Sequence, residues 1–263
     1  MRRRLGLLTA VCVGMGTFLP PRSAEIPTHS FPEVEKVIQG LIKRAEADPK
    51  FDREFESRYR FTHTKTREER NPKRMLKKRE SERTVHEPES APTLAENWPG
   101  DAAAAVTGGA GEVGSKPDKR GRANTRGDVV LTEALMRRFE FTIRAREWVA
   151  GRTALKMDFR PVVRELPAKS LMDRFINRTA GTIWVDETDF TISKAMFWLT
   201  ERLNLGGGIL GSVSAFDCRF ERRRVEDKIW YTPELEWHVE CREFLVNKII
   251  EFQETREDVR KIR

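Results

Sequence analysis

The last third of the chain alternates between apolar and polar residues, and this period of two constrains the fold more than any other feature. One stretch carries apolar residues separated by polar ones: Leu235, Trp237, Val239 and Cys241 against Glu234, Glu236, His238 and Glu240. Another does the same: Phe216, Cys218 and Phe220 against Asp217, Arg219 and Glu221. Because successive side chains of a strand point to opposite faces, the pattern predicts a large antiparallel sheet with one apolar and one charged face.

Residues 181–199, GTIWVDETDFTISKAMFWL, place three carboxylates between two apolar segments. We interpret Asp186, Glu187 and Asp189 as a hairpin turn, because aspartate side chains bond nearby backbone N–H groups in turns. A metal or catalytic site is the alternative that the residue types allow. The turn interpretation moves the functional interest to the apolar strands on either side.

The length of this turn decides which face of the sheet carries Trp184. A three-residue turn puts Trp184 on the same face as Ile192 and Met196. A two-residue turn puts it beside Thr191 and Ala195. The sequence leaves both orientations open.

The region before this sheet begins with a helical pattern over residues 30–47. Its apolar residues recur every three or four positions: Val34, Val37, Ile38, Leu41, Ile42 and Ala45. Ser30 and Glu33 have the spacing of a capping box and predict the start of the helix. In residues 51–63, the aromatic residues share one parity, which predicts a half-buried strand: Phe51, Phe55, Tyr59 and Phe61.

Charge of both signs dominates residues 65–84, where the basic excess of a chain with net charge +8 is concentrated. We interpret this segment as a solvated hairpin at a sheet edge, because charges protect such edges from aggregation. A surface for nucleic acid or anionic lipid is the alternative.

The remaining patterns complete an α+β architecture. A short helix is expected over 131–139, two strands joined near Ala150–Gly151, and a helix over 167–181 that ends at Gly181. The chain reverses again at Glu226–Asp227, Pro233 marks an edge, bulge or break, and residues 253–263 are expected to be a polar tail. The order predicts a large curved antiparallel sheet, an open half-barrel whose concave apolar face is covered by a few helices. Such a face is suited to an apolar ligand.

The first 24 residues have the order of a secretory signal peptide. Three arginines precede an apolar run of 15 residues, and PPRSA follows. A membrane span needs about 20 apolar residues, so we expect cleavage after Ala24, a periplasmic location and a single domain over 25–263. Val11 before Cys12 does not fit a lipid-attachment site, and an uncleaved anchor is the other alternative. Residues 87–126, rich in Pro, Gly and Ala, are expected to be a disordered insertion.

Cysteine and histidine usage excludes several functions. In an oxidising compartment Cys218 and Cys241 are candidates for a disulfide, with two buried free thiols as the alternative. The four histidines are scattered, so we expect no metal and no cofactor. The chain lacks the GxSxG and HExxH motifs of hydrolases, so we expect no catalytic residues. Export also argues against a nucleic-acid partner.

Three segments together resemble the outer-membrane lipoprotein-sorting proteins of the LolA/LolB-like family, in a divergent bacterial branch. They are GRTALKMDFRP (151–161), LMDRFINRTAGTIWVDETDFTISKAMFWL (171–199) and the segment from LNLGGGIL to CREFLV (203–246). The features shared are a glycine before a strand ending in F-x-P, a helix followed by an I-W-V-D strand, and a glycine-rich reversal before a long strand. The resemblance covers under half of the chain.

This resemblance implies a curved half-barrel that holds lipid acyl chains without catalysis. Its cavity would be lined by sheet aromatics and aliphatics: Trp184, Ile192, Met196, Trp198, Phe216, Phe220 and Trp237. The implied partners are lipids or the acyl chains of lipoproteins, with envelope proteins and peripheral membrane contact as further partners of a monomer. Two alternatives stay open: ordinary core packing for each of these residues, and a non-catalytic structural or regulatory cell-envelope protein on the same fold.

Overall fold

The computed structural model describes most of the chain after residue 29. The described residues are 30–88, 131–162, 166–168, 170–205, 208 and 211–262. The expected signal peptide, residues 1–24, lies outside them, as does nearly all of the expected insertion over 87–126. The described residues from Phe31 onward belong to one compact unit.

Ten antiparallel strands of the described residues form one open sheet. They are β1 Tyr59–Arg70, β2 Leu76–His86, β3 Phe139–Val149, β4 Arg152–Pro161, β5 Thr179–Asp186, β6 Ile192–Leu199, β7 Leu203–Leu205, β8 Gly211–Glu226, β9 Ile229–Glu243 and β10 Val246–Lys261. Their order across the sheet is β2-β1-β10-β9-β8-β6-β5-β4-β3, and β7 pairs with β8. The α+β class and the open, curved antiparallel sheet are therefore confirmed.

In the described part of the chain, three helices accompany the sheet: α1 Val34–Arg58, α2 Glu133–Met136 and α3 Leu171–Ile176. Helix α1 buries Val37 and Leu41, each 1% exposed, against β4 and β5. Arg44 holds α1 to the β8–β9 turn, because its guanidinium donates to the carbonyl of Lys228 at 2.7 Å. The helices lie on one face of the sheet, which is the face that the alternation makes apolar.

Helix α1 corrects two expectations. Glu33 is the residue before the helix and its side chain makes no capping bond, so the capping box at Ser30 was wrong. The helix continues through Arg58, so residues 51–58 are not strand. The spacing of four between Phe51, Phe55 and Tyr59 fits one side of a helix as well as one face of a strand. The ring centroids of Phe55 and Tyr59 lie 5.1 Å apart, a separation that the helical spacing allows and a strand does not.

The C-terminus gives a second correction, because residues 253–261 are not a polar tail. They are part of β10, which pairs with β1 from Tyr59↔Lys261 to Arg70↔Ile249. A hairpin turn at 244–245, which was not expected, separates β9 from β10. Backbone pairing with β1, and with β9 as far as Thr255, holds this polar end of β10 in the sheet.

Helix α3 lies within the expected range of 167–181, but it begins later, at Leu171, and ends earlier. Ser170 and Asp173 form a complete capping box. The helix ends at Asn177, and Gly181 lies inside β5 instead of ending the helix. A β-carbon at Gly181 would be 2.4 Å from the carbonyl oxygen of Met196 and 2.8 Å from the ring of Phe159. Gly181 therefore serves close strand packing rather than the end of α3.

Other expectations are confirmed. The charged hairpin β1–β2 lies at the sheet edge, and almost every residue of β2 is exposed. The turns at Ala150–Gly151 and after Glu226 are present. Pro233 lies opposite the register shift between Glu221 and Arg223 of β8, which is the bulge position that tolerates a missing N–H group.

Candidate functional site

The strand register separates an apolar face, which carries the helices, from a charged face on the opposite side. One row across β6, β8, β9 and β10 is apolar: Phe197, Cys218, Trp237 and Phe252. The next row lies on the opposite face: Trp198, Asp217, His238 and Glu251. Each strand thus contributes alternate side chains to two different environments.

The seven residues predicted to line a cavity are divided between these faces. Four lie on the apolar face: Ile192, Phe216, Phe220 and Trp237. Three lie on the charged face: Trp184, Met196 and Trp198. The first four lie beneath the helices, with Phe216 and Trp237 in one cluster, Ile192 in another and Phe220 against both, and the other three lie apart from them.

A β-bulge at Ser193 explains part of this division. Trp184 pairs with Lys194, whereas the next residue, Val185, pairs with Ile192. Ser193 is the extra residue, and its hydroxyl donates to the carbonyl of Trp184 at 3.0 Å. Trp184 therefore shares a face with Met196, as a three-residue turn would give, but Ile192 is turned to the opposite face.

Two side-chain clusters on the apolar face contain the predicted lining residues. Helix α1 covers one cluster, in which Leu155 and Met157 are 1% and 0% exposed. Helix α3 covers the other through Phe175, whose ring meets Phe216 edge-on at 4.9 Å. Phe197 and Phe220 are partly exposed and pack against both clusters. We call these two residues the seam.

The charged face holds Trp184 in a polar environment. Its indole is 6% exposed and donates to Glu147 Oε2 at 2.7 Å. The ammonium groups of Lys156 and Lys194 lie 5.4 and 5.0 Å from its ring centroid. The hydrogen bond from Trp184 is the main reason that the pKa of Glu147 is lowered. A carboxylate and two ammonium groups therefore surround this tryptophan on the charged face.

The acidic segment is a turn, as expected. Asp186 is 1% exposed and receives two hydrogen bonds from Arg152, at 2.6 and 3.0 Å. Its Oδ1 also accepts the N–H groups of Thr188 and Asp189 at 2.9 and 3.1 Å. Burial raises the pKa of Asp186, but these hydrogen bonds outweigh burial, so the pKa lies below its ordinary value. Asp189 accepts the indole N–H of Trp230 at 2.9 Å.

A groove of about 690 Å³ lies on the charged face, and the alternation alone did not reveal it. Met196 and Trp198, 43% and 45% exposed, form part of its lining. Arg74 and Arg79 of the β1–β2 hairpin contribute to it from the edge of the sheet. The sequence does contain one indication of this groove. Met196 and Trp198 are large and apolar, yet they alternate in step with Lys194, on the charged face of β6.

Cys218 and Cys241 are free thiols. Cys218 pairs with Trp237, which is four residues before Cys241 in β9. Four residues of strand span about 13 Å, whereas the Cα atoms of a disulfide lie about 4.4–6.8 Å apart. This register does not support the disulfide interpretation. Burial, with a contribution from Asp217, raises the pKa of the Cys218 thiol to about 12.

Among the described residues, no group of three or more His, Cys, Asp or Glu side chains is placed to hold a metal ion. None of the helices in the described ranges combines the length and hydropathy required to cross a membrane.

Comparison with known proteins finds no matching family model and no matching curated protein. Among solved structures, an outer membrane lipoprotein-sorting protein domain from Vibrio parahaemolyticus matches with 11% identity and a TM-score of 0.30, covering 86% of this chain and 93% of that one. A LolA superfamily protein from Nitrosomonas europaea matches with 11% identity and a TM-score of 0.28, with the same coverage.

A third solved structure is the MucA/MucB complex of Pseudomonas aeruginosa, with 9% identity, a TM-score of 0.20, and coverage of 83% of this chain and 99% of that one. These superpositions are loose, and they assign no function to this chain.

Proposed function

We propose that the protein is a non-catalytic carrier of the cell envelope that binds lipids or lipoproteins by burying acyl chains on its apolar face. The observation that carries this proposal is the seam. Phe197 and Phe220 lie between the cover formed by α1 and the cover formed by α3, and they contact both clusters. An acyl chain that enters there replaces contacts among aromatic rings with contacts to its own methylene groups.

The energetics favour long chains over short ones. Each buried CH₂ group contributes about 0.8 kcal/mol, so a chain of many methylenes offsets the cost of separating the covers. The apolar row from Phe197 to Phe252 crosses four strands and provides a continuous surface for such a chain. Ile192, Phe216, Phe220 and Trp237 are the predicted lining residues on this face.

The two helices that would have to move are held unequally. Helix α1 is anchored through Arg44 to the turn between β8 and β9. Helix α3 is also tied by an ion pair, from Arg138 to Asp173 at 2.9 Å, but it has six residues and buries none of them fully, whereas α1 buries four. We therefore place the opening at α3 and at the seam, and not beneath the middle of α1.

Protein exported by its own N-terminus and purified from the periplasm tests this function. Native mass spectrometry is expected to show a bound lipid or lipopeptide mass that disappears after delipidation and returns when a fatty acid is added. A delipidated protein that takes up neither fatty acid nor lipopeptide would exclude acyl-chain binding. A reporter fused after residue 24 that stayed cytoplasmic would exclude export independently.

One observation favours a second function, that of a structural or regulatory envelope protein. Phe216 and Trp237 are each 4% exposed and are buried by neighbouring side chains of the same chain. The charged face, by contrast, offers the groove with its exposed Met196 and Trp198. A protein of this class would keep its apolar face closed and bind its partner in the groove, so Trp198→Ser would abolish its function while Phe197→Ser would not.

A further inference from the structure

The turn between β9 and β10 exposes three consecutive apolar side chains. Phe244, Leu245 and Val246 are 53%, 92% and 59% exposed. Turns usually consist of Gly, Pro, Asn, Asp or Ser, and Phe244 has a φ of 51°, in the left-handed region that a bulky residue adopts at a cost. Neither solubility nor turn geometry explains these residues.

A second turn projects from the same end of the sheet. Strands β1 and β10 are neighbours, and Arg70 at the end of β1 pairs with Ile249 near the start of β10. Lys248 Nζ lies 3.7 Å from Glu69 Oε1 across the same pair. The β1–β2 turn exposes Met75 and Leu76, 53% and 49%. The two turns, residues 71–77 and 244–246, form what we call the two-turn end.

Basic charge surrounds these apolar residues. Residues 70–79 include six arginines and lysines and no aspartate or glutamate. Some of the six pair with acids of the strands, such as Lys78 with Glu80 at 2.6 Å. In the described part of the chain, Lys73, Arg74 and Lys77 have no acidic partner, and all three are exposed.

We propose that the two-turn end docks on an anionic lipid membrane surface. The apolar tips enter the interface between headgroups and acyl chains, and the unpaired cations contact lipid phosphates. This combination favours a membrane over a nucleic acid, because phosphate backbones would use the cations but not five exposed apolar side chains. The proposal concerns a different surface from the apolar face and does not depend on acyl-chain binding.

Vesicle flotation with residues 25–263 tests the docking, because the described compact unit from Phe31 onward carries both turns. The probes are vesicles of phosphatidylcholine alone and vesicles that also contain phosphatidylglycerol. The protein is expected to float with the anionic vesicles and to remain behind with the neutral ones. The combined change Phe244→Asn and Leu245→Ser is expected to weaken binding by about tenfold or more, because a buried Leu or Phe contributes about 1.5–3 kcal/mol.

Two further variants keep this test decisive. Asparagine tolerates a positive φ, so the turn variant is expected to fold, and circular dichroism checks this. Lys73→Gln with Lys77→Gln is expected to weaken binding about 25-fold, because each cation contributes about 1 kcal/mol near an anionic surface. Val85→Ser with Trp148→Ser, which removes apolar side chains that are 51% and 66% exposed and lie outside both turns, is the matched control and is expected to leave binding unchanged. Equal binding to both kinds of vesicle, an effect of the control equal to that of the turn variant, or no binding at all would overturn the proposal.

Discussion

The ring of Phe190 packs directly against Gly40 of α1, so that a β-carbon at position 40 would lie 2.4 Å from the ring Cδ1. Phe190 belongs to the loop between β5 and β6 and has a φ of 56°. This contact, together with Arg44, sets the distance between α1 and the sheet. The absence of a side chain at Gly40 therefore determines how closely α1 can approach the apolar face.

Gly40→Ala is expected to destabilise the protein by about 1–3 kcal/mol, because overpacking forces the helix or the ring to move. The sign of this change in the free energy of unfolding is informative, because Gly→Ala in an exposed helix interior stabilises a protein by up to about 1 kcal/mol. Chemical denaturation measures the effect. In the Phe190→Ala background the penalty of Gly40→Ala is expected to disappear, and an unchanged penalty there would show that the close contact is not its cause.

Arg152→Met is expected to destabilise by about 3 kcal/mol, because it leaves the buried Asp186 carboxylate without its cation. Arg160→Met is the matched control, since the Arg160–Glu140 pair is exposed and such pairs contribute at most about 1 kcal/mol.

Calcium or zinc is expected to leave the unfolding temperature of the parent protein unchanged. A marked rise with either ion would return the acidic turn to a metal-binding function.

Acid is expected to weaken the fold through Asp186 and Glu254. Burial raises the pKa of Glu254, but His63 and Arg256 outweigh it, so the pKa lies below its ordinary value. Because both folded-state pKa values are lowered, the stabilisation is complete above the unfolded-state values of about 4 and is lost as the pH falls through the folded-state values. The unfolding temperature is therefore expected to decrease once the pH is lowered below about 4. Glu254→Gln is expected to reduce that slope, whereas the exposed Glu257→Gln is not.

Thiol labelling tests the positions of the two cysteines in residues 25–263. Iodoacetamide at mildly alkaline pH is expected to leave Cys218 unmodified in the folded protein, because burial raises the pKa of its thiol to about 12. Unfolding in denaturant without reductant is expected to make both thiols reactive. If no thiol appeared until a reductant was added, a disulfide would be present and the register of β8 and β9 would need revision.

Local alternation predicted most of the sheet, because one apolar and one polar face leave a clear period of two. It failed where two periods coincide, as for Phe51 and Phe55, whose spacing suits a helix and a strand equally. It also failed for β10, where pairing with β1 is set by backbone hydrogen bonds across about 200 residues of sequence. No hydropathy pattern within the segment reports such a partner.

The candidate site was harder to predict than the fold. One bulge residue, Ser193, decides whether Ile192 shares a face with Trp184, and a bulge has no reliable signature in a single sequence. The turn at Phe244 and Leu245 lacks the Gly, Pro or Asn that usually marks a hairpin. The groove depends on how neighbouring strands and the β1–β2 hairpin lie in space, which alternation within a strand does not contain.

Two adjacent residues of β6 allow the most direct test of acyl-chain binding. Phe197 is part of the seam, and Trp198 points to the opposite face. The measurement is the titration of delipidated protein with a fluorescent fatty acid, for the parent, Phe197→Ser and Trp198→Ser, with Phe220→Ser as a second seam variant and circular dichroism as the check on folding. The account predicts that the parent and Trp198→Ser bind the probe alike and that both seam variants bind it at least about tenfold more weakly, since a buried Phe contributes about 1.5–3 kcal/mol. A parent protein that binds no probe, or a Trp198→Ser variant that loses as much affinity as Phe197→Ser, would contradict it.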